Sequence, residues 1–270
     1  MNLAYYLKDS SLELDPRVLG LLAELGAAGF EVYPVRDSAD VREGTDMLLS
    51  FGGDGTYLSA AALAAELSLP ILGVNFGRLG FLSENKPEDV APALSRGDYS
   101  IQRRGMVRVS GLAGGDGPQL ALNEICFLRE GAAMLGVDVE VDSRPLPTYW
   151  ADGLLVATSS GSTAYSLSAG GPICLPESKV LIISPIAPHN LNVRPLVVPD
   201  SVSIRVSFRS RDAAVRVTAD NRGYDVPASS SLTVSAVPGA VGRVVLGGSN
   251  FISALKERLM WGGDIRNHTE

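Results

Sequence analysis

The pentapeptide Gly52-Gly53-Asp54-Gly55-Thr56 sets a carboxylate inside a glycine-rich turn, between the apolar run Met47–Phe51 and the alanine-rich stretch Thr56–Leu67. The run is short, apolar and bounded by glycine, which predicts a buried strand; the stretch after it is rich in strong helix formers. A glycine-rich turn from strand to helix brings several backbone N–H groups to one point, beside the positive end of the helix dipole, and so suits a phosphate. Asp54 is the odd member. A carboxylate among phosphates repels its ligand unless a cation or a chemical task keeps it there, and phosphoryl transfer to an alcohol offers such a task, orienting the hydroxyl and taking its proton. The alternative is a tight turn in which Asp54 bonds neighbouring backbone.

Other constellations share this character. Asn75-Phe76-Gly77-Arg78-Leu79-Gly80-Phe81-Leu82 follows a second strand-like run; Phe76 and Phe81 there could wall a nucleotide pocket, since bases stack on aromatic rings, or fill the core beneath a turn. Asn123-Glu124 interrupts the apolar segment Leu120–Leu128, where an amide and a carboxylate are costly unless they bond something. Such groups read base edges and ribose hydroxyls, while a water-exposed strand end or bulge is the other reading. The segment 151–172 runs from Ala151-Asp152-Gly153 through an apolar strand into Ser159, Ser160, Gly161, Ser162, Thr163, Ala164, Tyr165, Ser166, Leu167 and Ser168, then Gly170-Gly171-Pro172. It offers N–H and O–H donors to phosphate or sugar oxygens, or else it is a solvated turn. In 188–196, His189 and Arg194 could face an anion; a lone histidine is more often structural.

The elements that must position these groups follow two grammars. Up to about Leu82, strand-like Leu3–Leu7, Phe30–Val35, Met47–Phe51 and Ile71–Asn75 alternate with helices near Pro16–Ala28 and after Thr56. This predicts a doubly wound α/β layer on a parallel sheet, with ligands beyond the carboxyl ends of the strands. Pro16 suits a first helical turn and Gly29 the position past a last one. From about Ser100, short β-branched runs separated by Gly, Pro, Asp and Asn take over, among them Met106–Leu112, Val137–Val141, Leu154–Thr158, Val180–Ile183, Val215–Ala219, Leu232–Val237 and Gly242–Leu246. In Ser201–Phe208 the apolar residues Val202, Ile204, Val206 and Phe208 alternate with polar ones, as in a half-exposed strand. A mostly antiparallel, sandwich-like β domain is predicted over 99–250, after an α/β domain over 1–98. Phe251–Trp261 reads as a helix with Phe251, Leu255 and Leu259 on one face, so 251–270 is expected to return to the first domain.

Composition excludes several classes. With 23 basic against 30 acidic residues, a formal charge of −7, the chain lacks the cationic excess of a nucleic-acid-binding surface. Cys126 and Cys174 form no Cys-x-x-Cys pair, and His189 and His268 do not cluster with them, so no protein-held metal or redox centre is predicted. No basic head with an apolar core opens the chain and no apolar run is as long as a membrane span. A cytoplasmic protein is expected.

In their order along the chain, GGDGT (52–56), NFGRLGFL (75–82), NE (123–124), DGLLVATSSGSTAYSLSAGGP (152–172) and PHNLNVRP (188–195) resemble NAD kinases. GGDG alone is shared with diacylglycerol kinases, sphingosine kinases and phosphofructokinases; the run Gly161–Pro172 is far more specific. The resemblance implies an α/β domain joined to a β-sandwich-like one, and phosphoryl transfer from ATP, with a divalent metal (magnesium, carried with ATP), to the 2′-hydroxyl of the adenosine ribose of NAD. Carried over, Asp54 is the general base, and Gly52, Gly53, Gly55 and Thr56 receive the donor phosphates. The NAD site comprises Asp54, Gly55, Phe81, Asn123, Glu124, Asp152, Thr163, Ala164, Tyr165, Ser166, Leu167, Ser168 and Ala187. A homodimer or homotetramer is implied as well. The chain departs from the family pattern at Ser159-Ser160, usually Pro-Thr, at Trp150, and at Asp220-Asn221-Arg222, often Asp-Gly-Gln; acceptance of NADH stays open. A lipid kinase would want a wide apolar cleft and a basic membrane-facing patch, and a non-catalytic dinucleotide sensor has no need of Asp54.

Overall fold

The computed structural model describes residues 1–77, 80–112, 119–247 and 251–260. They fall into two compact units, one of Met1–Arg103 with the described residues from Val241 onward, the other of Arg104–Ala240. In the first unit β1 (Asn2–Leu7), β2 (Glu31–Val35), β3 (Met47–Phe51) and β4 (Pro70–Val74) alternate with α1 (Pro16–Ala27) and α2 (Asp54–Glu66). Strand β1 pairs in parallel with β2 and β3, and β3 with β4, the parallel layer that the alternation predicts. Asp15 caps α1 by accepting the Arg17 N–H at 2.8 Å, with Pro16 in the first turn, which satisfies an otherwise orphaned amide. Leu3, Val18, Leu25, Leu49, Phe51 and Leu72 are buried together, and Phe51 stacks on Tyr5 with ring centroids 5.1 Å apart.

Helix α3 (Pro87–Arg96) has no counterpart in the sequence reading. Pro92 lies inside it, where proline removes a helical hydrogen bond and masks the periodic signal. The ends nonetheless carry the expected chemistry, with Pro87, Glu88 and Asp89 in the first turn and Gly97 in the left-handed region after the last. Val90 and Leu94 anchor α3 in the core.

Strand β5 (Tyr99–Ser110) leads into the second unit, which holds β6 (Leu120–Ala121), β7 (Glu124–Arg129), β8 (Leu135–Val141), β9 (Arg144–Pro145), β10 (Tyr149–Ala151) and β11 (Gly153–Thr158). After the short helix α4 (Tyr165–Ser168) come β12 (Val180–Ile186), β13 (Leu196–Pro199), β14 (Ser203–Arg209), β15 (Ala214–Ala219), β16 (Arg222–Pro227) and β17 (Ser231–Leu246). One sheet runs β13-β12-β11-β7-β15-β16, antiparallel throughout. The other contains β10, β8, β14 and the first part of β17, also antiparallel. Inward positions of both sheets, such as Ile204 and Val206 from one and Phe127, Val156 and Val217 from the other, share one apolar core, as sandwich packing requires.

Two expected strands, Leu232–Val237 and Gly242–Leu246, are one. Strand β17 continues through Pro238 and Gly239, where a turn would be read, because Gly239 takes a left-handed φ of 61° and absorbs the irregularity. Its last residues return to the first unit, where Gly242 and Arg243 pair in parallel with Pro70 and Ile71 of β4. Helix α5 (Phe251–Leu259) follows in that unit, burying Ala254 and Leu255; Trp261 lies outside the described residues. No described helix is long and apolar enough to cross a membrane.

Candidate active site

Gly53 is the N-cap of α2 and Asp54 its first residue. The Asp54 carboxylate does not bond local backbone, as a simple tight turn would have it. It reaches across to a segment nearly thirty residues on, where Oδ2 accepts the Phe81 N–H at 2.8 Å and Oδ1 accepts those of Leu82 at 3.0 Å and Ser83 at 2.9 Å. Gly80 makes room for this. A Cβ there would stand 2.0 Å from Asp54 Oδ1, far inside contact distance. Of the turn's amides, Gly52 N–H already donates to the Val74 carbonyl and Thr56 N–H to that of Gly53, both at 3.0 Å.

Phe76 and Phe81 have different fates. Phe76 is buried against Phe51, with centroids 5.4 Å apart, and belongs to the core rather than to a pocket wall. Phe81 is half-buried and lies beneath the Arg258 guanidinium, 5.2 Å from its carbon to the ring centroid. Arg78 and Leu79 of the same motif lie outside the described residues.

In the second unit, Asn123-Glu124 sits where β6 ends and β7 begins, but it is not the water-exposed bulge of the alternative reading: both side chains are more than nine-tenths buried. The stretch 120–124 is gripped on every side. Asp220 accepts the N–H groups of Leu122, Asn123 and Glu124 at 2.8, 2.9 and 3.2 Å. The Thr158 hydroxyl donates to the Leu122 carbonyl at 2.6 Å, the Thr158 N–H to that of Asn123 at 2.8 Å, and the Arg222 guanidinium to that of Leu120. Gly161 lies directly on Asn123, where a Cβ would be 2.2 Å from its carbonyl oxygen. Glu124 is thereby a buried carboxyl beside a buried carboxylate. Burial first, and the Asp220 charge second, push it up to about 8, against a smaller opposing effect of the Tyr165 N–H.

That shift has a consequence for stability. From the ordinary value of 4.5 up to about 8, the folded protein keeps a proton on Glu124 that the unfolded chain gives up. Stability from this group is therefore full below pH 4.5 and is lost as pH rises to about 8, with a slope of at most about 1.4 kcal/mol per pH unit. Denaturant unfolding of the wild type and Glu124→Gln between pH 5 and 9 is expected to give curves whose difference changes steadily up to pH 8 and then levels. A constant difference would show that Glu124 ionises normally.

The hydroxyls of the loop after β11 are mostly committed to the protein. Ser159 donates to the Pro176 carbonyl at 2.9 Å, Ser162 donates to the Cys174 carbonyl and accepts its N–H, and Ser166 lies 3.4 Å from the Ser184 hydroxyl. The loop is not a solvated turn. Ser162 and Ser166 are fully buried, whereas Thr163, Ala164 and Leu167 are half-buried, and Tyr165 and Ser168 are exposed. Tyr165 is raised by its surroundings, chiefly burial, then the charges of Cys126, Asp152 and Glu124. Asp152 also pairs with Arg129 at 2.7 Å. Ala187, just past β12, holds a left-handed φ of 47°, a strained conformation for a residue with a side chain and of the kind found at ligand sites. Arg194 spends its guanidinium on the carbonyls of Leu191 and Val193.

Residues 11–97 match the family model described as the ATP-NAD kinase N-terminal domain, and residues 122–245 match that of the ATP-NAD kinase C-terminal domain. The chain belongs to the NAD kinase family. An NAD kinase of Porphyromonas gingivalis is 40% identical over 228 residues, 83% of this chain and 79% of that protein. A crystal structure of an NAD kinase from Archaeoglobus fulgidus in complex with ATP is 29% identical with a TM-score of 0.78, covering 96% of this chain and 99% of the other. Yeast NADH kinase complexed with NADH, at 22% identity, shares the fold with a TM-score of 0.84 over 99% of this chain and 90% of its own.

Among the described residues, no group of three His, Cys, Asp or Glu side chains is arranged to hold a metal ion. Gly80 lies within the 75–82 motif and Asp220 in the 220–222 triplet, but the sequence reading gives neither its structural role, room for the Asp54 carboxylate and a clamp on 122–124. The Glu84–Arg243–Arg258 cluster carries no signal in a single sequence.

Proposed function

We propose that the protein is an ATP-dependent NAD kinase that transfers the γ-phosphoryl group of ATP to the 2′-hydroxyl of the adenosine ribose of NAD, giving NADP and ADP. One observation carries this: a single chain contains both domains of the family, with the Asp54 carboxylate fixed at the turn from β3 into α2. A carboxylate offers about four lone-pair sites. Leu82 and Ser83 occupy Oδ1 and Phe81 takes one site on Oδ2, so the remaining Oδ2 lone pair accepts the proton as the ribose oxygen bonds to phosphorus and the bond to the ADP oxygen breaks. Positioning supplies most of the rate in such an in-line transfer.

In this proposal Gly53, Gly55 and the Thr56 side chain serve the phosphates, while Gly52 and Thr56 N–H maintain the turn. Phe81, Asn123, Glu124, Asp152, Thr163, Ala164, Tyr165, Leu167, Ser168 and Ala187 line the dinucleotide site, and Ser166 braces it from behind. Magnesium bound with ATP would neutralise phosphate charge. A homodimer or homotetramer belongs to the same proposal, with light scattering as its test.

NADP formation from NAD, ATP and magnesium, read with an NADP-specific dehydrogenase, is the deciding assay. Product is expected; its absence with NAD binding intact would favour a sensor, and transfer to diacylglycerol or sphingosine would favour a lipid kinase. Gly80→Ala is expected to lower kcat about 100-fold, because displacing a reacting group by about 1 Å costs that much, while NAD affinity changes little. A kcat within threefold of wild type would mean that Asp54 need not sit where Gly80 lets it.

A further inference from the structure

Glu124 holds a feature that the dinucleotide site as described does not use. Its Oε2 is buried and has no hydrogen-bond partner, although the backbone around it is secured at nearly every polar atom. The device that secures it is Asp220, which stands in the left-handed region at φ 51° just after β15. Its carboxylate collects three consecutive N–H groups, and its own N–H donates back to the Glu124 carbonyl at 3.0 Å. Asp54 uses the same construction on Phe81, Leu82 and Ser83.

Two carboxyl groups this close and this buried do not both ionise. Burial raises Asp220 too, but its three N–H donors and the Arg222 guanidinium pull it back, so Asp220 keeps the charge and Glu124 takes the proton. A neutral carboxyl has one O–H to donate, and a buried donor left without an acceptor is costly. An acceptor on a bound nucleotide satisfies it.

We propose that Asp220 is a positioning residue that fixes the Asn123–Glu124 turn, and that Glu124 meets the nucleotide as a neutral acid donating a hydrogen bond from Oε2 to an acceptor on the adenosine, a ribose oxygen or an adenine ring nitrogen. This rests on the dinucleotide site of the proposed function. The other titratable groups around Glu124 do not change state near pH 8: Cys126, on the same strand, is pushed by burial up to about 12, and Tyr165, from α4, is raised above its ordinary value of 10.0. Arg222 is a charged neighbour of Asp220, and Asp152 acts on Tyr165.

Calorimetric titration of NAD, without ATP, into the wild type, Glu124→Gln and Asp220→Asn between pH 6.5 and 9.5 tests the inference. Wild-type affinity is expected to hold up to about pH 8 and then fall, approaching tenfold per pH unit. Glu124→Gln should lose that alkaline fall, and Asp220→Asn should begin it at lower pH than the wild type. Wild-type affinity that stays level or rises through pH 9.5, or a Glu124→Gln variant with the same fall, overturns the inference. If Asp220→Asn does not fold, the Glu124 carboxyl is titrated in the wild type by carbon NMR: a midpoint near 8 supports the assignment and one below 6 overturns it. NADP formation measured on the same wild-type sample keeps a failure of kinase activity distinct from a failure of this inference.

Discussion

Asp54→Asn is expected to lower the turnover of NADP formation by about two to four orders of magnitude, the range for removal of a general base, while NAD still binds. The amide keeps the volume of the carboxylate and presents an oxygen to some of the three backbone N–H groups that hold Asp54. It has no capacity to take the ribose proton. The amide nitrogen also faces at least one N–H donor, so a modest loss of stability should accompany the loss of rate; thermal melting separates the two. Turnover within tenfold of wild type would assign the proton to another acceptor and reduce Asp54 to an organiser of the Phe81–Ser83 segment.

The second large effect concerns stability. Glu84 lies between two guanidinium groups, with Arg243 Nη2 at 2.5 Å and Arg258 Nη2 at 3.2 Å. All three side chains are largely buried, 9%, 13% and 11% exposed. Glu84→Ala leaves two like charges facing one another in a poorly solvated space. Removing one partner of a buried ion pair costs about 3–5 kcal/mol, a large part of the roughly 5–15 kcal/mol that a typical domain has. Arg258 also covers Phe81, and Arg243 donates to the Phe81 carbonyl at 3.3 Å. The residues that hold Asp54 therefore loosen together with the cluster, and kcat should fall more than KM rises. Urea unfolding and steady-state kinetics of Glu84→Ala, beside Glu84→Gln, check both parts. A loss of stability below about 1 kcal/mol would mean that the cluster is as well solvated as a surface pair.

The sequence by itself determined the grammar of this protein: period and breakers placed β1 to β4, α1 and α2 within a residue or two, and the change to short β-branched runs marked the antiparallel unit. Those signals are local, set by side chains a few positions apart. It also marked Asn123-Glu124 as polar groups for which burial demands a partner, and Gly52–Thr56 and the loop after β11 as turns whose donors suit phosphate or sugar oxygens. Only the tertiary structure decided what those partners are. Asp54 bonds residues 81–83, Asp220 bonds 122–124 and Ser166 meets Ser184, pairings over long separations that no local pattern encodes. The same holds for which aromatic ring is core and which lies under an arginine, since Phe76 and Phe81 read alike along the chain. Burial, and with it the proton on Glu124, depends on the summed neighbourhood of several strands and becomes defined only when they pack.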